Sequence, residues 1–239
     1  MATVAEVMDD VALECSTTPP TSWITANSGS YSELKLFLRQ TVEELLDRVD
    51  WANPLCIDYV ITGTGDETYA MPSDFKRLTR DPMAVLETTN TRRPVRPVTT
   101  NGAWTNLETL GASGSERYYR LSGDEQAGYS LSFFQPPIAG VSITASYITK
   151  NWLKIGSTAG AVWSDVAATL LLPRKIVEMG IIWRFRRRKG FDYTDRKSEY
   201  EANLMRLANE ARQIRTISFG DRPTMRPFEI PVPDYITVA

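Results

Sequence analysis

The side chains that most often perform catalysis or bind metals are sparse in this sequence of 239 residues. Histidine, the commonest general base and a frequent metal ligand, is absent. Cys15 and Cys56 are the only cysteines, and their spacing fits neither a zinc ribbon nor a CxxC redox motif. We therefore expect two free thiols and neither a metal nor another cofactor.

Carboxylates are the remaining candidates for acid–base chemistry. The pairs Asp9-Asp10 and Glu43-Glu44 lie on the polar faces of predicted helices, where solvated surface is the expected role. No glycine-rich segment is followed by the Lys-Ser/Thr of a phosphate loop. We predict that the protein is not an enzyme, and a hydrolase that uses only carboxylates is the weakest alternative.

A basic run ends one of the predicted helices and is the strongest candidate for binding nucleic acid. Clustered guanidinium groups neutralise phosphates, so the run could face DNA. Cations are also favoured at a helix C-terminus, where acidic helices could pair with them. Residues 1–50 carry nine acidic and three basic residues, whereas residues 173–215 carry six acidic and twelve basic residues. The intersubunit or DNA-facing basic cluster is predicted to comprise Arg184, Arg186, Arg187, Arg188 and Lys189.

Amphipathic helices are predicted at both ends of the chain. Thr3 and Glu6 form a capping-box signature ahead of apolar residues at helical spacing. A second helix begins near residue 30 and stops by residue 54, a third runs from Pro173 to Gly190, and a fourth covers about 194–216. Each has an apolar face that needs a partner.

The middle of the chain reads as short antiparallel strands, because the gaps are too short for crossover helices. Alternation over 56–62 and 68–71, with turn residues between, predicts a hairpin. Residues 72–75 predict a tight turn into a short helical piece. Further strands follow up to residue 149, and the prolines at 94 and 97 place one of them at a sheet edge or in an extended arm.

These elements together predict an α+β fold. Its helical bundle comes from both chain ends, residues 1–55 and 172–219, with a β-rich module over 56–171 inserted between them. Residues 220–239 are predicted to form an extended C-terminal arm.

The arm is distinguished by four prolines within a dozen residues, which exclude a regular helix or a central strand. Extended apolar segments of this kind are captured by partners through groove docking or strand addition. We predict that the arm docks on another subunit. Its predicted anchors are Phe228, Ile230, Val232, Tyr235 and Ile236.

Two runs carry a resemblance to a known family. Tyr69-Ala70-Met71-Pro72-Ser73-Asp74-Phe75-Lys76-Arg77-Leu78 precedes the strand region, and Gly190-Phe191-Asp192-Tyr193 follows the basic helix. With the order of helices and strands over about 1–215, the chain resembles the phage head-to-tail adaptor proteins, also called tail tubular protein A or tail accessory factors. These motifs are structural, so they point to a family and a fold more than to a site.

The resemblance implies a structural virion protein that acts as a connector at the head–tail junction. It implies a homo-oligomeric ring, usually a dodecamer, that binds the portal and the next tail component, a nozzle or tail tube. It also makes the portal the leading partner of the arm. DNA would pass through the ring during ejection without specific binding. The alternative is a small DNA-binding module that uses the basic cluster, which the net charge of -2 does not favour.

The expected location follows from two further features. No apolar run approaches the roughly 20 residues of a membrane helix, and the first residues lack the pattern of a signal peptide. We expect no membrane partner, and assembly of the virion in the host cytoplasm.

Overall fold

The protein is described by a computed structural model over residues 2–89, 93–111 and 116–214. Within those ranges it has an α+β fold, as the sequence predicts. The helices are α1 (Val4–Glu14), α2 (Gly29–Arg48), α3 (Asn101–Leu110), α4 (Arg174–Lys189) and α5 (Thr194–Ile214). The strands are β1 (Cys56–Thr62), β2 (Thr68–Ala70), β3 (Phe75–Leu78), β4 (Val85–Glu87), β5 (Arg96–Pro97), β6 (Tyr118–Asp124), β7 (Gly128–Phe133), β8 (Ser142–Thr149), β9 (Leu153–Ile155), β10 (Thr158–Gly160) and β11 (Thr169–Leu170).

The start of α1 confirms the predicted capping box. The Thr3 hydroxyl accepts a hydrogen bond from the Glu6 amide at 3.2 Å, and the Thr3 amide donates to the Glu6 carboxylate at 2.9 Å. Two of the unpaired amides at the helix start are thereby satisfied. The apolar face of α1 is buried, and α1 packs against α4.

The basic helix α4 is the central helix of the bundle, because α1, α2 and α5 all pack against it. The helices approach closely at Gly180, where an added Cβ would lie 2.3 Å from the Thr41 methyl group and 3.1 Å from the Tyr200 ring. Gly190 ends α4 in a left-handed conformation with φ of 76°. The absence of a side chain at Gly180 therefore sets how closely three helices approach.

The strand β8 is the centre of the first sheet. All seven residues of β1 pair antiparallel with β8, while β3 and β4 pair along its other edge. A second sheet has the order β2-β7-β6-β5, and its one parallel pair joins β5 to β6. A small third sheet has the order β10-β9-β11. The proline-containing strand β5 lies at a sheet edge, as predicted.

The predicted hairpin between 56–62 and 68–71 is wrong. β1 pairs with β8, and β2 pairs with β7 in the other sheet. The turn between them packs against the loop that precedes β8, because the Gly63 amide donates to the Val141 carbonyl at 2.7 Å and the Gly65 amide to the Pro137 carbonyl at 3.0 Å. The strands also do not form a simple meander, because β8 pairs with β1, β3 and β4, which lie much earlier in the chain.

The short helical piece predicted after residues 72–75 is wrong as well. A turn closed by the Phe75 amide and the Pro72 carbonyl at 3.0 Å leads directly into β3. The Asp74 carboxylate accepts from the hydroxyls of Tyr147 and Thr149 on β8, at 2.9 and 2.8 Å, instead of from the next backbone amides. The side chain that could have started a helix therefore anchors a strand.

The helix α3 was missed by the sequence interpretation. Thr100 caps it by accepting from the Ala103 amide at 3.3 Å. Trp104 is the buried residue that holds it, with an edge-on contact to Phe134 and the Arg120 guanidinium over its indole ring. The sequence signal for this helix was Thr100 as a capping residue, followed four positions later by the apolar Trp104.

The buried apolar residues form two clusters. One joins the helices to the small sheet and includes Trp152, Leu153 and Leu170. The other lies between the two larger sheets and includes Phe75, Phe133 and Tyr147. Cys15 and Cys56 are not joined by a disulfide. The arm at 220–239, with its five predicted anchors, lies outside the described residues.

Candidate interaction surfaces

The basic cluster lies at the C-terminal end of α4, where the helix dipole favours positive charge. Its five members have three different environments. Arg184 is half-buried and paired within the subunit, and Lys189 and Arg188 approach Glu33 on α2. Arg186 and Arg187 have no carboxylate within 4 Å in the part of the chain that the structure describes. The cluster is therefore not one continuous surface.

Arg184 is held by polar groups of two helices. Its guanidinium forms an ion pair with Glu44, donates to the Thr41 hydroxyl at 3.0 Å and to the Gly180 carbonyl at 2.8 Å. The group also lies 4.5 Å from the centre of the Trp183 ring, and its side chain is only 12% exposed. Arg184 thus joins α4 to α2 within one subunit and exposes only a small part of its side chain, at the cleft beside Arg187 and Arg188.

Glu44 is the acceptor at the centre of this network, which corrects its predicted place on an exposed face. It accepts from Arg184, from Arg48 at 2.7 Å and from the Tyr200 hydroxyl at 3.1 Å. Burial raises the pKa of Glu44, but the hydrogen bonds from Arg48 and Arg184 outweigh it and hold the pKa below its usual value. Glu43, its neighbour, is exposed as predicted.

The network continues to α5 through Arg48. Its guanidinium donates to both carboxylate oxygens of Glu201, at 3.1 and 2.7 Å. Such bidentate pairs fix geometry as well as contributing energy. The opposite charges of the two chain ends are therefore partly matched within one subunit.

The solvent-facing part of the cluster is smaller than the sequence indicates. Lys189 lies 2.7 Å and Arg188 3.9 Å from Glu33, while Arg187 and Arg188 are exposed. A cleft beside them is lined by Phe37, Gln40 and Trp183. Arg187 and Arg188 are the members with the freest access to DNA or to another subunit.

The run from Tyr69 to Leu78 connects the first sheet to the end of α2. Arg77 forms an ion pair with Asp50 at 2.6 Å and donates to the carbonyls of Leu46 and Val49, both at 2.9 Å. Leu46 lies in the last turn of α2 and Val49 is its C-cap residue. The arginine therefore caps the C-terminal end of this helix. The run is structural, as its motif suggests.

Arg80 adds a second set of contacts at the same helix end. Its guanidinium donates to the carbonyls of Arg48 and Asp47, at 3.2 and 2.8 Å, and its backbone amide donates to Asp50 at 3.1 Å. Sequence reasoning missed both arginine caps. The one available signal was a pair of arginines three residues apart, which does not identify a helix 30 residues earlier.

Residues 2–89, 93–111 and 116–214 contain neither a cluster of metal-ligating side chains nor a membrane-spanning helix. In those ranges no three Cys, Asp or Glu side chains gather closely enough to bind a metal ion. The same ranges contain no helix with the length and apolar character that crossing a membrane requires.

Comparison with known proteins gives one result across nearly the whole chain. The family model described as SU10 adaptor protein matches residues 2–227. The match covers all five described helices and every described strand. No curated protein matches the chain.

Proposed function

We propose, because the chain belongs to the SU10 adaptor protein family, that it forms a ring joining the portal of a phage head to the tail. At the level of the family, the chain is a structural adaptor protein of a phage. The finer proposal is a homo-oligomeric ring, a dodecamer by resemblance, whose two faces contact the portal and the next tail component, a nozzle or tail tube. DNA would cross its channel without specific binding.

The observation that carries this proposal is the match over residues 2–227, which includes both helical ends and the sheets between them. A connector also needs a subunit that keeps its shape while DNA moves past it. The ion-pair network of Glu44, Arg48, Arg184 and Glu201 joins α2, α4 and α5, and supports such a rigid unit. The proposed role is structural and not catalytic.

The arm belongs to the same proposal. We propose that residues 220–239 dock on another subunit of the head–tail junction, with Phe228, Ile230, Val232, Tyr235 and Ile236 as anchors. Each such side chain contributes on the order of 1.5 to 3 kcal/mol when fully buried. The proposed location of the assembled protein is the virion.

Electron microscopy of the full-length protein, alone and after co-expression with its portal, tests the ring. We expect closed rings with a central channel, and twelve-fold class averages in the portal complex. Monomers or irregular particles in both samples would overturn the proposal.

A DNA-binding module is the second candidate, favoured by the exposure of Arg187 and Arg188. Its test is binding of the full-length protein to duplex DNA over a range of salt concentrations, with Arg187→Glu/Arg188→Glu as the variant and Lys154→Glu/Lys175→Glu as the control with equal charge. Tight binding that depends on salt and is lost only in the first variant would favour this candidate. The ring proposal predicts weak binding that both variants reduce equally.

A further inference from the structure

A groove of about 350 Å³ lies between α2 and the segment that follows β8. Trp152 and Trp163 line it, and Val162 at the same place is 73% exposed. Both indole N–H groups already have acceptors, the Ala161 carbonyl at 2.8 Å and the Asp165 carbonyl at 2.9 Å. Trp152 is only 8% exposed and packs in the helical core, so the apolar surface offered to a ligand comes from the half-buried Trp163 ring and from Val162.

The charge of the groove is positive. Four cations line it, Lys35, Arg39, Lys76 and Lys150, against the two carboxylates Glu43 and Glu125. Within the described ranges, neither Arg39 nor the Lys150 ammonium has a carboxylate within 4 Å.

The other two cations have only limited contacts. Lys76 is 3.7 Å from Asp47, and Lys35 donates to the Ala26 carbonyl at 2.7 Å. These ammonium groups sit in a groove whose net formal charge is two positive units, so it attracts an acidic partner.

This chemistry selects a class of ligand. Aromatic-lined grooves bind extended proline-containing peptides, because the preformed polyproline conformation loses little entropy and its rings pack on indole faces. Flanking lysine and arginine side chains add a preference for carboxylates. The groove therefore fits an extended acidic peptide with proline and apolar anchors.

A segment of this same chain has those properties. Residues 227–236 read Pro-Phe-Glu-Ile-Pro-Val-Pro-Asp-Tyr-Ile, with three prolines, two carboxylates and no lysine or arginine. We propose that the groove receives residues 227–236 of a neighbouring copy. The sequence of the arm and the lining of the groove are complementary in charge and in apolar character.

The length of chain between the last described residue and this segment permits the contact. From Ile214 to Pro227 an extended chain spans roughly 40 Å, and a compact chain of this size is roughly 45 Å across. Contacts in which each copy's arm occupies the next copy's groove are head-to-tail, and such contacts form a ring when the rotation between neighbouring copies closes. The inference rests on the proposed ring and names its lateral contact.

Photo-cross-linking from the arm tests the inference. The full-length protein with Ile230→p-benzoylphenylalanine is co-expressed with its portal, irradiated, and analysed by denaturing gel and peptide mapping. We expect covalent dimers and larger oligomers that join residue 230 to the segment 150–163 of a second copy. Lys76→Glu/Lys150→Glu should lower their yield about fivefold or more, whereas the control Lys154→Glu/Lys175→Glu should change it less than about twofold.

Every other result overturns the assignment. A cross-linked product with a portal peptide would place the arm on the portal, and a cross-link within one copy would place it in that copy's own groove. An equal yield of cross-linked oligomers in both charge variants would remove the electrostatic argument. Electron microscopy of the same sample reports the ring separately. Rings without the expected cross-link overturn this inference and leave the proposed function standing, whereas absence of rings counts against the proposed function itself.

Discussion

Arg77 on β3 and Asp50 at the end of α2 form an ion pair with 2.6 Å between Nη1 and Oδ1. The two side chains are 19% and 10% exposed. The same guanidinium caps two carbonyls of α2, so a single side chain joins the first sheet to the helical cluster. The Tyr69–Leu78 run therefore has a structural role, because it fixes the first sheet against the helical bundle.

Replacing Arg77 with methionine keeps the aliphatic stem and removes every one of these donors. Because Asp50 loses its ion-pair partner and the carbonyls of Leu46 and Val49 lose a donor, we expect the free energy of unfolding to fall by about 2 to 4 kcal/mol. Urea denaturation measures the change. The control is Arg206→Met, whose 61% exposed side chain pairs with Glu210 within α5, and we expect less than about 0.5 kcal/mol there. Equal effects would show that Arg77 is not a specific anchor.

Glu44→Gln removes the charge at the centre of the ion-pair network without changing its shape. We expect a loss of about 1 to 3 kcal/mol at neutral pH, since two arginines lose a charged acceptor. The exposed neighbour provides the matched control, because Glu43→Gln should change the free energy of unfolding by less than about 0.5 kcal/mol. Urea denaturation of both variants gives the comparison, and similar losses would contradict the network.

The same pair of variants has an expected pH dependence. The pKa of Glu44 is lowered in the folded protein from its ordinary value of 4.5, so the folded state binds this proton less readily than the unfolded state. The stabilisation is fully present above that ordinary value and is lost as the pH falls through the folded pKa. Unfolding of wild type and Glu44→Gln should therefore converge in acid, and a constant difference down to low pH would contradict this origin.

Gly180→Ala tests the close approach of the helices. A methyl group there would contact Thr41 and Tyr200, so we expect a loss of about 1 to 3 kcal/mol from overpacking. Gly102 in α3 has no heavy atom within 4 Å of an added Cβ, and Gly102→Ala should be neutral or stabilising by up to about 1 kcal/mol because alanine favours helix. Thermal unfolding of both variants distinguishes the two effects. Helix propensity alone would stabilise both variants, whereas overpacking would destabilise only Gly180→Ala.

Tyr147→Phe tests the hydrogen bond that holds the turn before β3. Burial and the neighbouring Asp74 both raise the pKa of the Tyr147 hydroxyl, so it remains a donor to that carboxylate at neutral pH. Its loss should cost about 1 to 2 kcal/mol in urea denaturation. Tyr118→Phe removes an exposed bond of the same kind, to Glu116, and a comparable cost there would argue against a role for burial.

The four helices at the chain ends could be read from the sequence because their signals are local. The capping box at Thr3 and Glu6 acts within one turn, and Gly190 ends α4 through its own backbone freedom. Apolar spacing of three and four residues likewise reports which face is buried, whatever that face contacts. The sequence alone therefore determined the ends of the bundle, the absence of histidine chemistry and the α+β class.

Tertiary structure decided which elements became partners. β1 pairs with β8 about 80 residues later, and Glu44 meets Arg184 from 140 positions away. Alternation of apolar and polar residues indicates which face of a strand is buried, but it does not identify the neighbouring strand. The position of an acidic residue on a helix likewise does not reveal whether an arginine from another helix will approach it. Those outcomes depend on how closely the helices pack at Gly180 and on which strand reaches β8, and both are properties of the assembled chain.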